Sequence, residues 1–379
     1  MDLNYTNNIL ITCARGISPF LEDEVRRLGF TVESSHDTGV VIRSKFIDTY
    51  KLNLELRTAF NVLFLLKEFR CVSPDDLYNK AYQLPWENII PENEYISVVS
   101  QVSNPKIKNT MFSNQKLKDA IVDRMLKKTL RRPDSGPDRK NIVINLYWKN
   151  DKAWIYLNTS GTKLADRGYR KIPLEAPMQE TLASAVLAAA GYTGDKDLIN
   201  PMCGSGTIAI EAALIALNKA PGLLRSNYGF MHLKNYDKKY WQDLRKNALD
   251  KAGKKPDFKI IATDINNKAV AAAIKNAKTA GVDHLIDFAA CDFADTPVPS
   301  GKGIVLLNPE YGERMGKTKN LAEIYKRMGD FFKQKCRGYS GFIFTGNFDL
   351  AKKVGLRSDK RIPFYTGDIE CRLLEYDIH

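Results

Sequence analysis

The chain has 379 residues, 44% apolar and 27% charged, which is more than one ordinary core takes and predicts two or three soluble domains. No run approaches the roughly 20 apolar residues of a membrane-spanning helix, and the opening Met-Asp-Leu-Asn-Tyr-Thr-Asn-Asn has no basic region ahead of an apolar stretch, so a cytoplasmic protein is expected. The net charge of +13 fits a polyanionic partner or merely solvated lysines. Its distribution favours the partner: residues 105–171 hold eleven Lys and six Arg against six Asp and no Glu, and 17 minus 6 is +11 of the total. Six cysteines stand alone at 13, 71, 203, 291, 336 and 371, with no Cys-x-x-Cys pair and no histidine cluster. That disfavours zinc or any other metal site and a disulfide framework, and suits small buried fillers.

In chain order, the alternation of Ile9–Cys13 predicts a strand, Pro19–Leu28 a helix closed by Gly29, and Gly39–Arg43 a second strand, together a small α/β sandwich. A second α/β unit from about Val72 to Ser160 is read from strands at Tyr95–Gln101, Ile142–Trp148 and Ala153–Asn158, and a long helix over Ser113–Leu130. The Pro- and Gly-punctuated stretch Arg131–Asp138 separates that helix from the later strands. From about Thr162 short apolar strands alternate with helices: Asp197–Asn200, Lys259–Thr263, Leu285–Ala289, Gly303–Leu307 and Gly341–Thr345. This alternation predicts a doubly wound, mainly parallel sheet. The segment Ile362–Ile378 reads as two strands joined at a Gly-Asp turn, an antiparallel hairpin beside it.

Asn200-Pro-Met-Cys-Gly-Ser-Gly-Thr207 follows the first of these strands and opens a nearly all-apolar helix, Ile208–Leu217. Gly204 and Gly206 allow a tight turn and close approach to a ligand, and the helix N-terminus offers unpaired N–H groups to an anionic end. The candidate cofactor contacts in this loop are Asn200, Met202, Cys203, Gly204, Gly206 and Thr207. Gly204-x-Gly206-x-x-Ala209 equally satisfies a dinucleotide fingerprint, and a purely structural turn also fits. Asp264, closing the next strand, is placed to accept from ribose hydroxyls, with Ile265 after it. It stands 58 positions beyond Gly206, against roughly 20 in a dinucleotide fold, although an insertion rich in Lys and Tyr around 219–257 explains that excess as well. Asp292 follows the third strand, suited to the adenine amino group with Phe293 beside the ring, although a helix N-cap needs the same residue.

Leu306-Leu-Asn308-Pro-Glu-Tyr311 closes the fourth strand. An exocyclic amine on a base is a poor nucleophile because its lone pair is delocalised into the ring. The Asn308 side-chain oxygen and the Pro309 carbonyl are suited to hold its N–H bonds and localise that pair, with Tyr311 stacked on the base. Asn-Pro-x-Tyr alone is a common turn; its order after the glycine loop, Asp264 and Asp292 points to S-adenosylmethionine-dependent methyl transfer. A base reaches such a site only when flipped out or in a loop, which structured RNA supplies to a basic neighbouring module.

These motifs, with Thr12-Cys-Ala-Arg-Gly16 and its helix, Leu117–Asp123, Leu157–Gly161, Arg167-Gly-Tyr-Arg170, Ala176–Ala183 and Ile369–Leu373, resemble the THUMP-domain guanine-N2 methyltransferases of large-subunit ribosomal RNA over nearly the whole chain. The resemblance implies a ferredoxin-like domain over 1–65, a THUMP RNA-binding domain over 66–161 and a class I Rossmann-like methyltransferase domain over 162–379. It implies Thr181 close to the cofactor, and RNA contacts from Arg15, Lys116, Arg124, Lys128, Arg131, Arg132, Arg167, Arg170 and Lys171. Asn200 stands where the family usually has Asp, and Glu310 where it usually has Pro. The function expected is methylation of a guanosine N2 in 23S rRNA. The same reaction on tRNA, an adenine-N6 DNA methylase and an RNA-binding assembly factor weakened at Asn200 and Glu310 are the competitors.

Overall fold

Strand and helix alternate from the start of the chain: β1 (Thr6–Thr12), α1 (Ser18–Arg27), β2 (Val32–His36), β3 (Gly39–Lys45), α2 (Asp48–Glu55) and β4 (Asn61–Arg70). There follow α3 (Pro74–Tyr82), β5 (Ile96–Ser103), α4 (Thr110–Thr129), β6 (Ile142–Lys149) and β7 (Lys152–Asn158). The computed structural model describes residues 5–104, 110–172, 177–253, 257–309 and 318–378, with the backbone only of 110 and 318–320. The first seven strands form one sheet in the order β2-β3-β1-β4-β7-β6-β5. The boundary expected between residues 65 and 66 therefore falls inside β4. Its first residues, Asn61–Phe64, pair with β1, while Leu63–Arg70 pair with β7. Cutting there would strand backbone donors and acceptors that the ladder satisfies, so the two sandwiches read from the sequence share a hydrogen-bonded frame.

The chain forms two compact units, and the first takes in Leu21–Asp166 together with Arg225–Asn247 from much later in the chain. That later segment is aromatic for a reason. Tyr50 stacks on Phe230 with centroids 4.1 Å apart, Tyr228 stacks on Phe230 at 5.3 Å, and Trp241 meets Phe230 edge-on at 5.1 Å. Arg225 spreads its guanidinium over Tyr228 at 4.9 Å and donates to the carbonyls of Lys163 at 2.6 Å and Ser160 at 3.3 Å. The Lys- and Tyr-rich insertion is thus a packed strap of the first unit.

The second unit contains α5 (Glu180–Ala189), β8 (Asp197–Pro201), α6 (Thr207–Ala216), part of α7 (Lys238–Asp250), β9 (Ile260–Asp264), α8 (Asn267–Ala280), β10 (Ile286–Ala290) and β11 (Gly303–Leu307). It ends with α9 (Thr318–Lys335), β12 (Ser340–Thr345), the single turn α10 (Phe348–Ala351), β13 (Lys360–Thr366) and β14 (Ile369–Asp377). The strand order is β10-β9-β8-β11-β12-β14-β13. The first five run parallel, while β14 and β13 are antiparallel, as the alternation and the Gly-Asp turn predict. Every residue of β11, Gly-Ile-Val-Leu-Leu, is buried, because helices cover both faces of a parallel sheet. The first eight residues of α6 are all buried as well, which is why its sequence shows no polar stripe. Among the described residues, no helix is long and apolar enough to cross a membrane.

Candidate active site at the ends of the parallel strands

The candidate residues collect where β8, β9, β10 and β11 end, the edge at which sheets of this kind bind ligands. β8 delivers Asn200, fully buried, whose Nδ2 donates to the Leu306 carbonyl at 2.8 Å. That bond ties β8 to its neighbour β11 and orients the amide, so Oδ1 faces the other way and is buried with no partner among the described residues. An aspartate here would set carboxylate oxygen against carbonyl oxygen. Asn200 thus supplies the donor that the buried Leu306 carbonyl takes up and keeps an acceptor for a ligand.

Past Pro201 the chain turns sharply, with Met202 at φ +59° and Gly204 at φ +53°. The Cys203 N–H donates to the Thr263 carbonyl at 2.9 Å, and the Gly204 N–H to Asp264 Oδ2 at 2.9 Å. A Cβ on Gly204 would meet nothing within 4 Å, leaving that side of the loop open to a ligand. At Gly206, which caps α6 at φ +83°, a Cβ would come within 2.9 Å of the Ala273 Cβ. Glycine at 206 is a packing requirement, whereas at 204 it leaves room. Burial pushes the Cys203 thiol up to about 12, so it is an inert part of the turn.

Asp264 accepts from the Gly204 N–H through Oδ2 and from the Asn266 N–H through Oδ1, both at 2.9 Å, and each oxygen keeps a second lone pair. Ile265 beside it is 73% exposed, a large apolar side chain presented at the strand end. Phe293 behaves otherwise. At 6% exposure it packs in the core against Phe331, 6.1 Å centroid to centroid, with the Arg327 guanidinium 4.9 Å over its ring. Its ring is taken up by protein contacts, whereas the Ile265 side chain is presented to solvent. Asp292 does cap the short turn Phe293–Asp295, its Oδ1 accepting from the Ala294 N–H at 2.9 Å, and the same oxygen accepts from Arg327 at 2.7 Å. Burial raises this carboxyl, but the bonds from Ala294 and Arg327 outweigh it and hold the group below the usual carboxylate range.

Asn308 and Pro309 follow β11, and Asn308 Oδ1 is buried without a partner among the described residues. Thr181 Oγ1, in the first turn of α5, is another such atom. Buried acceptors without partners among the described residues are costly unless a ligand or ordered water supplies donors. Tyr311 and Glu310 lie outside the described residues.

The basic residues divide sharply. Arg167, expected to contact RNA, is 1% exposed: Nε donates to Glu211 Oε1 at 2.8 Å, and that oxygen also accepts from the Tyr169 hydroxyl at 3.1 Å. Ser184 closes the cluster on Glu211 Oε2 at 2.7 Å. A guanidinium sealed in this way holds α5 and α6 and cannot reach a phosphate, so Arg167 leaves the RNA set. Arg170 is also turned inward, donating to the Met178 carbonyl at 2.7 Å and Thr207 Oγ1 at 3.2 Å beside Glu180, a carboxyl that burial pushes up to about 7. In the first unit Arg124 makes a two-pronged pair with Glu87 at 3.0 and 2.6 Å, Lys116 pairs with Asp75 at 2.9 Å, and Arg131 donates to Asn93 at 2.9 Å. Lys128 and Arg132 are exposed with no ion pair among the described residues, as is Lys171 in the second unit. Arg15 is exposed and lies 4.2 Å over the Tyr365 ring.

Two site residues escaped the sequence reading. Asn276, buried on the apolar face of α8, donates to the Ser205 carbonyl at 3.2 Å and accepts from the Lys171 N–H at 2.9 Å, bracing the glycine loop from behind. A lone amide interrupting the stripe Ala269, Val270, Ala272, Ala273, Ala277 was the available signal. Arg327 carried none, because its contact with Asp292 spans 35 positions.

Three domain families match this chain in succession: an RlmL ferredoxin-like domain over residues 8–63, a THUMP domain over 71–158 and an RMKL-like methyltransferase domain over 167–375. A protein of Syntrophotalea carbinolica called ribosomal RNA large subunit methyltransferase K/L is 36% identical over 377 residues, 97% of this chain and 53% of its own. Its counterpart in Psychromonas ingrahamii is 37% identical over 374 residues, 97% of this chain and 50% of its own. The chain therefore spans about half the length of these curated relatives. Among solved structures, SMU.472, a putative methyltransferase complexed with SAH, superposes with a TM-score of 0.89 at 28% identity, covering 100% of this chain and 99% of that one.

Proposed function

Since the chain belongs to the RMKL-like methyltransferase family, we propose that it transfers a methyl group from S-adenosylmethionine to the exocyclic N2 of a guanosine in 23S rRNA. The observation that carries this reading is the convergence of Asn200, Gly204, Asp264, Asp292 and Asn308 on the ends of four neighbouring parallel strands, with the Asn200 and Asn308 side-chain oxygens buried and without a partner among the described residues. Those atoms fit an amino acid ammonium and a nucleobase amine, both rich in N–H donors. The relatives named as rRNA methyltransferases and the SAH-bound neighbour support the same choice.

In this proposal Asn200 Oδ1 accepts from the ammonium of the methionine portion, and the open side of Gly204 admits the chain beyond it. Asp264 accepts from the ribose hydroxyls, Ile265 covers one face of the adenine and Asp292 accepts from its amine. The cofactor would supply the electrophilic methyl group; the protein supplies orientation and hydrogen-bond acceptors, and the N2 proton displaced by the methyl group passes to solvent. Asn308 Oδ1 and the Pro309 carbonyl hold the two N–H bonds of guanine N2, which turns its lone pair out of conjugation with the ring. Tyr311, outside the described residues, is the candidate for stacking on the base from its place in the Asn-Pro-x-Tyr sequence alone. Structured RNA is held by outward basic residues, of which Lys128, Arg131, Arg132, Lys171 and Arg15 are the candidates that remain.

The test is a mass map of modified nucleosides in rRNA and tRNA from cells with and without the gene. Loss of one N2-methylguanosine from 23S rRNA, restored by wild type and not by Asn308→Ala, is the expected result. A loss confined to tRNA transfers the reaction to that substrate, and unchanged RNA together with no S-adenosylmethionine binding leaves an assembly factor.

A further inference from the structure

The pairing of Asp292 with Arg327 has a chemical consequence beyond stapling α9 to the end of β10. Both hydrogen bonds that Asp292 accepts, from the Ala294 N–H at 2.9 Å and from Arg327 at 2.7 Å, fall on Oδ1. Among the described residues none reaches Oδ2. The Arg327 side chain is 41% exposed, and its guanidinium lies 4.9 Å over the Phe293 ring, which with the bond to Asp292 gives it two contacts. The carboxylate is thus held at one oxygen by Ala294 and Arg327, and the other oxygen is left for a ligand.

We propose that Arg327 is a positioning residue for adenine recognition, holding Asp292 through Oδ1 so that Oδ2 is presented as an acceptor-only oxygen to the purine amine. The inference rests on the cofactor reading above. An ionised carboxylate accepts and cannot donate, so it favours the amine of adenine and repels the carbonyl oxygen that replaces it in hypoxanthine. Without Arg327 the Ala294 bond alone remains on Oδ1, the carboxylate rotates more freely and protonates more readily, and a protonated acid can donate to a carbonyl. Discrimination between the two purines is therefore what Arg327 controls, more than affinity for the common amino acid and ribose portions.

The experiment measures, by calorimetry on the full chain, affinities for S-adenosyl-L-homocysteine and its deaminated analogue S-inosyl-L-homocysteine. Wild type is expected to prefer the adenosyl ligand by about a hundredfold or more, since a site built around a hydrogen-bonding group rejects the ligand that lacks it. Arg327→Ala is expected to shrink that ratio about tenfold, largely by binding the inosyl ligand better at lower pH. Arg327→Lys restores part of the ratio. Arg327→Gln, which keeps a stem over Phe293, reads the same ratio should the alanine variant fold poorly. Equal weakening of both ligands in every Arg327 variant, with the ratio intact, makes Arg327 a structural staple and overturns this proposal alone. Failure of the wild type to bind either ligand overturns the cofactor reading, and this proposal with it.

Discussion

Within residues 105–171 the arginines of the two units do opposite things. In the first unit Arg131 and Arg132 stand in solvent near the C-terminal end of α4, and Arg124 lies against Glu87 at the surface. In the second unit Arg167 is sealed against Glu211, Tyr169 and Ser184, and Arg170 is folded onto Glu180 and Thr207. All five belong to the same basic stretch of sequence. Outward arginines cost little to remove and govern a partner's affinity; inward ones brace helices and govern stability.

The contrast is broken most directly at its extremes. Arg167→Ala leaves Glu211 buried without its cation, and thermal or denaturant unfolding should show a loss of about 3–5 kcal/mol, whereas Arg132→Ala should change stability by less than about 0.5 kcal/mol. A soluble Arg167→Ala protein of wild-type stability and reduced RNA affinity would return Arg167 to the RNA set. Next in size is Asn308→Ala, expected to lower kcat by about a hundredfold or more, as loss of one preorganised group does, while S-adenosylmethionine affinity stays within about twofold. Single-turnover assays with a 23S rRNA fragment measure it, and a loss under tenfold removes Asn308 from the chemistry.

Glu180 sharpens the inward side. Its folded value, near 7, lies above the ordinary carboxylate value of 4.5, so the folded state holds the proton more tightly than the unfolded chain. The stability that this supplies is complete below about 4.5 and disappears as pH rises through about 7, on the order of 3 kcal/mol. Glu180→Gln should flatten that part of the melting temperature profile against pH, and an unchanged slope would assign it to other groups. The smallest effects belong to the outward side. Lys128→Ala and Arg132→Ala should each weaken RNA binding a few-fold and lower the slope of log affinity against log salt by about one, measured by titration at several salt concentrations.

Much of this was legible in the residues. The parallel strands announced themselves as short apolar runs, since both their faces are buried, and the terminal hairpin by its Gly-Asp turn. The glycine loop, Asp264, Asp292 and Asn308 were found by their order at successive strand ends, because backbone topology alone carries them to one edge. Burial and partnership were not legible. Nothing in Arg167-Gly-Tyr-Arg170 told inward arginines from outward ones, and nothing around Phe293 in the sequence told that Phe331 and Arg327 lie against its ring.

By itself, then, the sequence determined what depends on local spacing: the strand and helix pattern, the turn chemistry of Gly204 and Gly206, and the family signature. Tertiary structure decided what depends on groups distant along the chain. It runs β4 through the boundary expected at residue 65 and draws Phe230 and Trp241 back onto Tyr50. It shows that Asn200 meets the buried Leu306 carbonyl with its amide donor while its Oδ1 has no partner among the described residues, and that Asp292 is held from α9. The reason is that a side chain's charge and hydrogen-bonding capacity are fixed by its type, whereas the solvent and partners that give them their effect are set only when remote segments pack together.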